Sequence, residues 1–213
     1  MGKTDDPVAS GPEAGRKAAY FARNRAALIA ATQVLLGDKG WNATIDEVAA
    51  HAGVSVSTVY KHFETKELLF ETCAREAWAA YESWALSVTA SASDPIEQLV
   101  MPMRLMFRSN RTHPVFAMIF VRNVNEFTAL VPLMTKNLGI HMRGLIKAKV
   151  LDVDHPDLRI MNLKAVLMRI FLQQLENPKS KDGDADLALS LALPMIGISP
   201  ARAKALMELP LPI

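Results

Sequence analysis

The side chains whose types and spacing could do chemistry are concentrated between Thr44 and Lys66. Hydroxyl and ammonium groups recur in this short stretch, and both kinds of group form hydrogen bonds with phosphates and with the edges of bases. On a helix lying in a major groove, Val56, Ser57 and Lys61 would face base edges. The valine suits a thymine methyl, the hydroxyl can donate or accept, and the ammonium can donate to guanine. The segment is therefore a candidate for recognition of DNA.

Residues that would support catalysis or bind a metal ion do not occur at the required spacing. The chain has no strand followed by a glycine-rich phosphate loop, no nucleophile elbow and no H-E-x-x-H sequence. Its histidines, at positions 51, 62, 113, 141 and 155, show no ligand spacing. The single cysteine, Cys73, excludes an internal disulfide and argues against a thiolate metal site. We expect no enzyme activity, no metal and no cofactor, and we interpret Cys73 as a buried apolar residue.

Capping residues indicate the elements that position the segment. Thr44 and Glu47 stand in the capping-box relation, so a helix begins directly after Thr44. Gly53 ends that helix, because glycine takes a left-handed backbone without a steric penalty. Ser55 caps a second helix and Thr65 a third. This order of short helix, glycine turn and helix predicts a helix-turn-helix unit, with Val48, Val59 and Phe63 in its core.

The rest of the chain also predicts helices. Half of the 213 residues are hydrophobic, which is enough for a large core. No proline occurs between Pro12 and Pro95 and no glycine between Gly53 and Gly139, so long stretches are compatible with helix. Alternating strand patterns are absent. We predict an all-α fold with a first helix at about 20–36, the short reader helices, a long helix at about 66–90 and about five more helices.

The charge of the chain does not by itself indicate a nucleic-acid partner. The formal net charge is only +2, and basic residues exceed acidic ones only modestly between Arg16 and Lys66. Affinity for DNA would have to come from local placement: from Arg16, Lys17, Arg23 and Arg25 near the first helix, from Lys61 and Lys66 near the groove, and from helix N-termini that face phosphates.

The segment VSVSTVYKHFETKELL, from Val54 to Leu69, resembles the end of the DNA-binding domain of TetR-family transcriptional regulators. Members of that family carry the pattern V-S-x-x-T-[LV]-Y-x-[HY]-F-x-[ST]-K-E-x-L there. Residues 26–31, the Gly40 turn and the run T-I-D-E-V-A-A-H-A-G-V match as well, so the resemblance covers about the first third of the chain. Position 57 is Ser where many members have Gly, Pro or Ala, and the reader helix would thus present an additional hydroxyl.

The resemblance assigns further roles to residues of the helix-turn-helix unit. Thr44, Tyr60, His62 and Lys66 resemble the family's phosphate contacts, which set register without reading sequence. Thr58 suits either role. For Tyr60 the alternative is packing under the first helix, and for His62 it is an ordinary surface position. The residues predicted to bind DNA are Thr44, Ser55, Val56, Ser57, Thr58, Tyr60, Lys61, His62 and Lys66.

The resemblance also implies a C-terminal helical domain that binds a small molecule. Methionines and aromatic residues are frequent between positions 78 and 171; most would be core, and a minority would line an adaptable apolar pocket. The residues predicted to contact an apolar effector are Met103, Arg104, Phe107, Phe120, Asn123, His141, Met142 and Phe171. The predicted organisation is a disordered arm at 1–16, a helix-turn-helix domain at 17–66, and an effector-binding and dimerisation domain at 67–213.

Two long helices at the end of the chain, at about 157–176 and 186–207, carry apolar faces broader than one core-facing stripe needs. In this family they would pair across a two-fold axis as a four-helix bundle, although covering the monomer core is the alternative. A homodimer would match a near-palindromic operator.

The function predicted from these observations is a DNA-binding repressor that a small apolar effector releases from its operator. An activator or a ligandless regulator of the same fold stays open, as does a small helical ligand-binding protein or enzyme. The polar N-terminus does not fit a signal peptide and no apolar run reaches membrane-spanning length, so we expect a cytoplasmic protein with no membrane partner.

Overall fold

The computed structural model describes residues 12–123, 135–177 and 179–213, and every regular element in these ranges is a helix. The first helices are α1 (Pro12–Lys39), α2 (Ile45–Ala52), α3 (Val56–His62) and α4 (Lys66–Thr89), with a 3-10 turn at Gly40–Asn42 after α1. They are followed by α5 (Pro95–Met106), α6 (Ser109–Thr112), α7 (Pro114–Asn123), α8 (Lys136–Lys147), α9 (Pro156–Glu176), α10 (Asp182–Ala192), a 3-10 turn at Leu193–Ile196, and α11 (Pro200–Glu208). The predicted all-α fold is confirmed.

Helix α1 contacts helices from both halves of the chain. It packs against α2, α4 and α7. Its buried Leu28 and Leu36 belong to a continuous apolar core that also contains Phe70 of α4 and extends to Leu206 of α11. The two short helices α2 and α3 are therefore built on the same core as the C-terminal helices, through α1 and α4.

The elements that were predicted from caps begin where expected. Helix α2 starts directly after Thr44 and ends at Gly53, α3 starts after Ser55, and α4 starts after Thr65. The predicted boundary after residue 66 falls at the first turn of α4. Capping is a local interaction between residues three apart, so the sequence alone is enough to locate it.

The first helix is longer than predicted at both ends. It begins at Pro12, eight residues before the expected Tyr20, and ends at Lys39. Of the predicted disordered arm at 1–16, residues 1–11 lie outside the described ranges, while residues 12–16 are the first residues of α1. Proline suits the first position of a helix, and the alanine, arginine and lysine residues after it are strong helix formers.

The predicted helix at about 186–207 is wrong as a single element. It is two helices, α10 and α11, separated by the turn at Leu193–Ile196 and by Gly197, whose φ is +84°. Pro194 and Pro200 interrupt the helical hydrogen bonds, and the hydroxyl of Ser199 accepts from the amide of Arg202 to start α11. Helix α10 also starts earlier than predicted, at Asp182. The ranges that the structure describes contain seven helices after α4, more than the expected five or so.

Candidate DNA interface and effector cavity

The capping box at Thr44 fixes the start of α2. The Thr44 hydroxyl accepts from the Glu47 amide at 3.3 Å, and the Glu47 carboxylate accepts from the Thr44 amide at 3.0 Å. Hydrogen bonding from Lys39 holds the pKa of Glu47 below its usual value. Because the Thr44 hydroxyl is used here as an acceptor, its proton stays available to donate to a phosphate.

The turn between α2 and α3 depends on Gly53. Its φ of 67° and ψ of 33° lie in the left-handed region. Its amide donates to the carbonyls of Ala49 and Ala50, which closes the end of α2. Ala49 is buried, as its small side chain allows two helices to approach closely through a short turn.

Helix α3 has an inner and an outer face. Val59 and Phe63 are buried in the core. Ser57 and Lys61 are exposed, and Tyr60 keeps 51% of its surface accessible, so it is not packed under α1. Since α3 begins at Val56, these outward side chains lie in its first two turns, the part of a recognition helix that meets base edges.

The hydroxyls at the start of α3 form a local network. Ser55 accepts from the Thr58 amide at 3.2 Å, and its oxygen lies 2.9 Å from that of Ser57 and 2.8 Å from that of Thr58. Ser55 and Thr58 are thus engaged in the cap. Val56 and Thr58 are half-buried, whereas Ser57 is exposed. Ser57 is therefore the hydroxyl of this group that an external partner can approach most freely.

His62 and Lys66 both contact other parts of the protein. The His62 ring lies against that of Phe21 in α1, with ring centroids 3.9 Å apart, and its Nδ1 is buried without a partner among the described residues. Burial, aided by the charge of Arg25, lowers the pKa of His62. The Lys66 ammonium donates to the Trp41 carbonyl at 2.7 Å and lies over the Phe70 ring. His62 therefore holds α3 to α1, and Lys66 holds the start of α4 to the 3-10 turn that follows α1.

The basic residues of α1 lie among exposed aromatic rings. Tyr20 and Phe21 are exposed, and the Arg23 guanidinium lies 5.5 Å from the centre of the Tyr20 ring. Arg25 pairs with Glu76 of α4 at 3.0 Å, so it stabilises the contact between the two helices.

A cavity of about 310 Å³ lies between α4, α5, α8 and α9. Most of its wall is apolar, with Trp78 and Leu99 deep in it and Met106 and Met168 half-buried. The polar side chains in the wall are Tyr81, Glu82, Gln98, Thr135, Asn137, His141 and Lys164. An apolar cavity with a few polar groups is the usual form of a small-molecule site.

Two of the predicted effector residues, Met103 and His141, line this cavity. Burial lowers the pKa of His141. Three others, Phe107, Met142 and Phe171, are fully buried in the core and do not line it.

The remaining three predicted effector residues also lie away from the cavity wall. Phe120 is buried in an aromatic cluster with Trp78 and Phe116. Arg104 pairs with Asp186 of α10 at 3.0 Å. Asn123 donates to the carbonyls of Ile119 and Leu36, next to the Gly40 turn.

Several cavity residues were missed, and the sequence did contain a signal for some of them. Trp78, Tyr81, Glu82, Ala85 and Leu86 repeat at the three- and four-residue spacing of one helix face. The carboxylate of Glu82 on this otherwise apolar helix face was an indication of a polar group in a ligand-binding site. Tyr81 is almost fully buried, and its hydroxyl has no partner among the described residues.

The apolar faces predicted for dimerisation divide into buried and exposed parts. Leu163, Leu167 and Leu189 face the core. By contrast Leu158 and Met161 of α9, and Leu187 and Leu191 of α10, are exposed, with Leu191 at 74%. More apolar surface thus remains uncovered than the monomer core requires.

The described ranges contain neither a metal-binding cluster nor a membrane-spanning helix. No cluster of three or more histidine, cysteine or acidic side chains suited to a metal ion is found there. No helix in that part of the chain is long and apolar enough to span a membrane. Cys73 is buried, and burial raises the pKa of its thiol to about 12.

Comparison with known proteins agrees with this arrangement. Residues 28–73, which run from α1 into α4, match the model for bacterial regulatory proteins of the tetR family. No curated protein sequence matches the chain.

Solved structures similar to the whole chain share its fold. RolR in complex with resorcinol superposes with a TM-score of 0.72 at 20% identity, over 92% of this chain and 98% of that one. NalD from Pseudomonas aeruginosa, the secondary repressor of the MexAB-OprM multidrug efflux pump, gives 0.64 at 20% identity over 84% and 98%. A TetR-family regulator from Marinobacter aquaeolei VT8 gives 0.62 at 20% identity over 84% and 98%. The resemblance to TetR-family regulators is confirmed, and the chain has their fold.

Proposed function

We propose that this chain is a sequence-specific DNA-binding transcriptional regulator, and more narrowly a repressor that a small apolar effector releases from a near-palindromic operator. The observation that carries the proposal is helix α3. It is anchored by buried Val59 and Phe63 and presents Ser57, Tyr60 and Lys61 outward, within a segment that matches the tetR family model.

In this proposal the outward residues of α3 read the operator. Ser57 and Lys61 contact base edges, and Val56 contacts a thymine methyl. Thr44, with a hydroxyl proton free to donate, and exposed Tyr60 contact phosphates. Lys66, whose ammonium is bonded to the Trp41 carbonyl, contributes mainly by holding the start of α4 in place.

Selection of bound DNA from a random pool tests the proposal. A recovered near-palindrome would establish DNA binding, symmetry and half-site spacing together. Lys61→Ala should relax the preference at one position of each half-site, by about 1–3 kcal/mol. Lys147→Ala, which removes an exposed lysine at the end of α8, is the matched control and should change nothing. An unchanged preference in Lys61→Ala would remove Lys61 from base reading, and the absence of any enriched sequence would refute the function.

A homodimer through α9 and α10 is part of the proposal. The exposed side chains Leu158, Met161, Leu187 and Leu191 support it, because pairing would remove them from water. Leu191→Lys should produce monomers in sedimentation at micromolar concentration, whereas Val150→Lys, at an exposed apolar residue after α8, should leave dimers intact. A wild-type monomer under the same conditions would contradict the dimer.

Release by an effector is proposed from the cavity between α4, α5, α8 and α9. The similar fold of RolR, which is solved with resorcinol bound, supports a small-molecule ligand, and the repressor role described for NalD supports repression. In a reporter assay, a bound compound should increase transcription from the selected operator. A decrease on adding the same compound would instead identify an activator.

A further inference from the structure

One cation in the wall of the cavity has no counter-ion among the residues that the structure describes. Lys164 of α9 lines the cavity and forms no ion pair or hydrogen bond with any residue of the described ranges. A Cβ added at Gly139 of α8 would lie 3.3 Å from its Nζ and 3.4 Å from Nη2 of Arg143. Two positive groups therefore lie against the same glycine, whose neighbours Leu138 and Ile140 line the cavity.

The surroundings of Lys164 disfavour its charge. Burial, and then the nearby charge of Arg143, lower the pKa of Lys164. Among the described residues, Arg143 forms one ion pair, with Asp157 at 3.3 Å on an exposed surface. An anion placed beside Lys164 would offset both the lost hydration and the repulsion.

The acidic group of the cavity is already partnered. The carboxylate of Glu82 on α4 accepts a hydrogen bond from the Asn137 side chain at 2.8 Å, and burial raises the pKa of Glu82. Glu82 therefore already has a hydrogen-bond partner in the protein, whereas Lys164 has none among the described residues. A ligand anion at Lys164 fits the cavity better than a ligand cation at Glu82.

The space beyond Lys164 suits an apolar body. The wall there includes Trp78, Leu99, Met103, Leu167 and Met168. The cavity volume of 310 Å³ equals the liquid volume of about ten water molecules, which corresponds to about ten non-hydrogen atoms of ligand.

We propose that the cavity binds an apolar monocarboxylate of about that size, with its carboxylate on the Lys164 ammonium and its hydrocarbon body between α4, α5 and α9. Lys164 is half-buried, so the ligand charge stays at the edge of the cavity while the apolar part leaves water. The assignment rests on the proposed function, in which this cavity is the effector site.

Isothermal titration of the full chain without DNA tests the ligand class. The probes are octanoate and 3-phenylpropanoate, each compared with its neutral amide and with the corresponding primary amine. At least one carboxylate should bind about 10- to 100-fold more tightly than its amide, since a hydrogen bond between charged groups is lost in the amide. The amines should bind most weakly.

Substitutions locate the preference. Lys164→Met keeps the length and apolar stem of the side chain, and it should abolish the preference for carboxylate while leaving amide binding unchanged. Lys147→Met, at an exposed lysine outside the cavity, should behave as wild type. Glu82→Gln should strengthen carboxylate binding, because it removes the one acidic group in the wall among the described residues.

The outcomes separate this inference from the proposed function. Equal binding of carboxylate and amide, tighter binding of an amine, no binding of any probe, or a carboxylate preference that persists in Lys164→Met would each overturn the ligand class. Failure to recover an operator would refute DNA binding but would leave the titration result standing.

Discussion

Among the ion pairs of the described residues, Asp186→Asn should be the conservative substitution that destabilises the protein most. The Asp186 carboxylate on α10 accepts from Arg104 at 3.3 and 3.0 Å and from Arg108 at 3.1 and 2.6 Å. Both arginines are nearly inaccessible, at 4% and 6% exposure. Arg104 also donates to the carbonyls of Leu206, Met207 and Leu209 at the end of α11. One carboxylate thus pairs with two buried guanidinium groups. Arg104 connects α5 with α10 and α11, and Arg108, just after α5, connects to α10.

The size of the effect follows from burial. Asparagine has almost the volume of aspartate, so no cavity forms, but buried Arg104 loses its counter-charge and buried Arg108 keeps only Asp182, at 3.3 Å. Removing one partner of a buried ion pair costs about 3–5 kcal/mol, and that range is the expected loss in the free energy of unfolding. Asp182→Asn is the matched control. Asp182 is partly exposed and pairs with exposed Arg111 and, at 3.3 Å, with buried Arg108. Because Arg108 keeps Asp186 in this variant, the loss should be about 1 kcal/mol.

Urea unfolding gives the measurement. It should be followed at several protein concentrations, because a dimer adds a concentration-dependent contribution to stability. A loss in Asp186→Asn within about 1 kcal/mol of that in Asp182→Asn would refute the reasoning, since water would then be reaching the arginines. Because α10 also carries exposed Leu187 and Leu191, we expect the Asp186 variant to dissociate more readily in sedimentation as well.

Two further substitutions test local backbone and polar burial. Gly53→Ala should lower the free energy of unfolding by about 1 kcal/mol, because alanine is strained at the φ of 67° and no neighbouring atom adds to the cost. Gly144→Ala, at an exposed and open position within α8, should raise it by about 0.5–1 kcal/mol. If both variants shifted the melting temperature in the same direction, the argument from φ would be contradicted. Tyr81→Phe should be neutral or stabilise by up to about 1 kcal/mol, because it removes a buried hydroxyl that has no partner among the described residues and whose pKa is raised by burial. Tyr60→Phe is its exposed control, and a large loss in Tyr81→Phe alone would mean that the hydroxyl is satisfied by water.

The sequence predicted the parts of the site that depend on near neighbours. The cap at Thr44, the turn at Gly53 and the start of α3 are set by contacts within three or four residues, and all were located correctly. The same local rules applied to Pro194 and Gly197 would have divided the last predicted helix. The prediction of one long helix relied on the breadth of its apolar face and disregarded these helix-breaking residues, and it was wrong.

The cavity depends instead on contacts between distant elements. Phe107, Met142 and Phe171 are of the types that line pockets, yet their faces point into the core. Lys164 lines the cavity and is of a type usually assigned to the surface. Residue type alone cannot separate these cases, because the separation depends on how α5, α8 and α9 are rotated against α4.

Helix α4 is the element that both sites share. At its start Lys66 is bonded to the Trp41 carbonyl, and about 22 Å further along, at 1.5 Å per residue, Tyr81 lines the cavity. Between these points Gln33 donates to the Cys73 carbonyl at 3.2 Å and Arg25 pairs with Glu76, so α1 is held to α4 along its length. A ligand can change DNA affinity only by the difference between its own affinities for two positions of α4. We therefore expect affinity for the cavity and release of DNA to be separable properties, since a compound that fills the cavity without displacing α4 would bind tightly and leave the operator occupied.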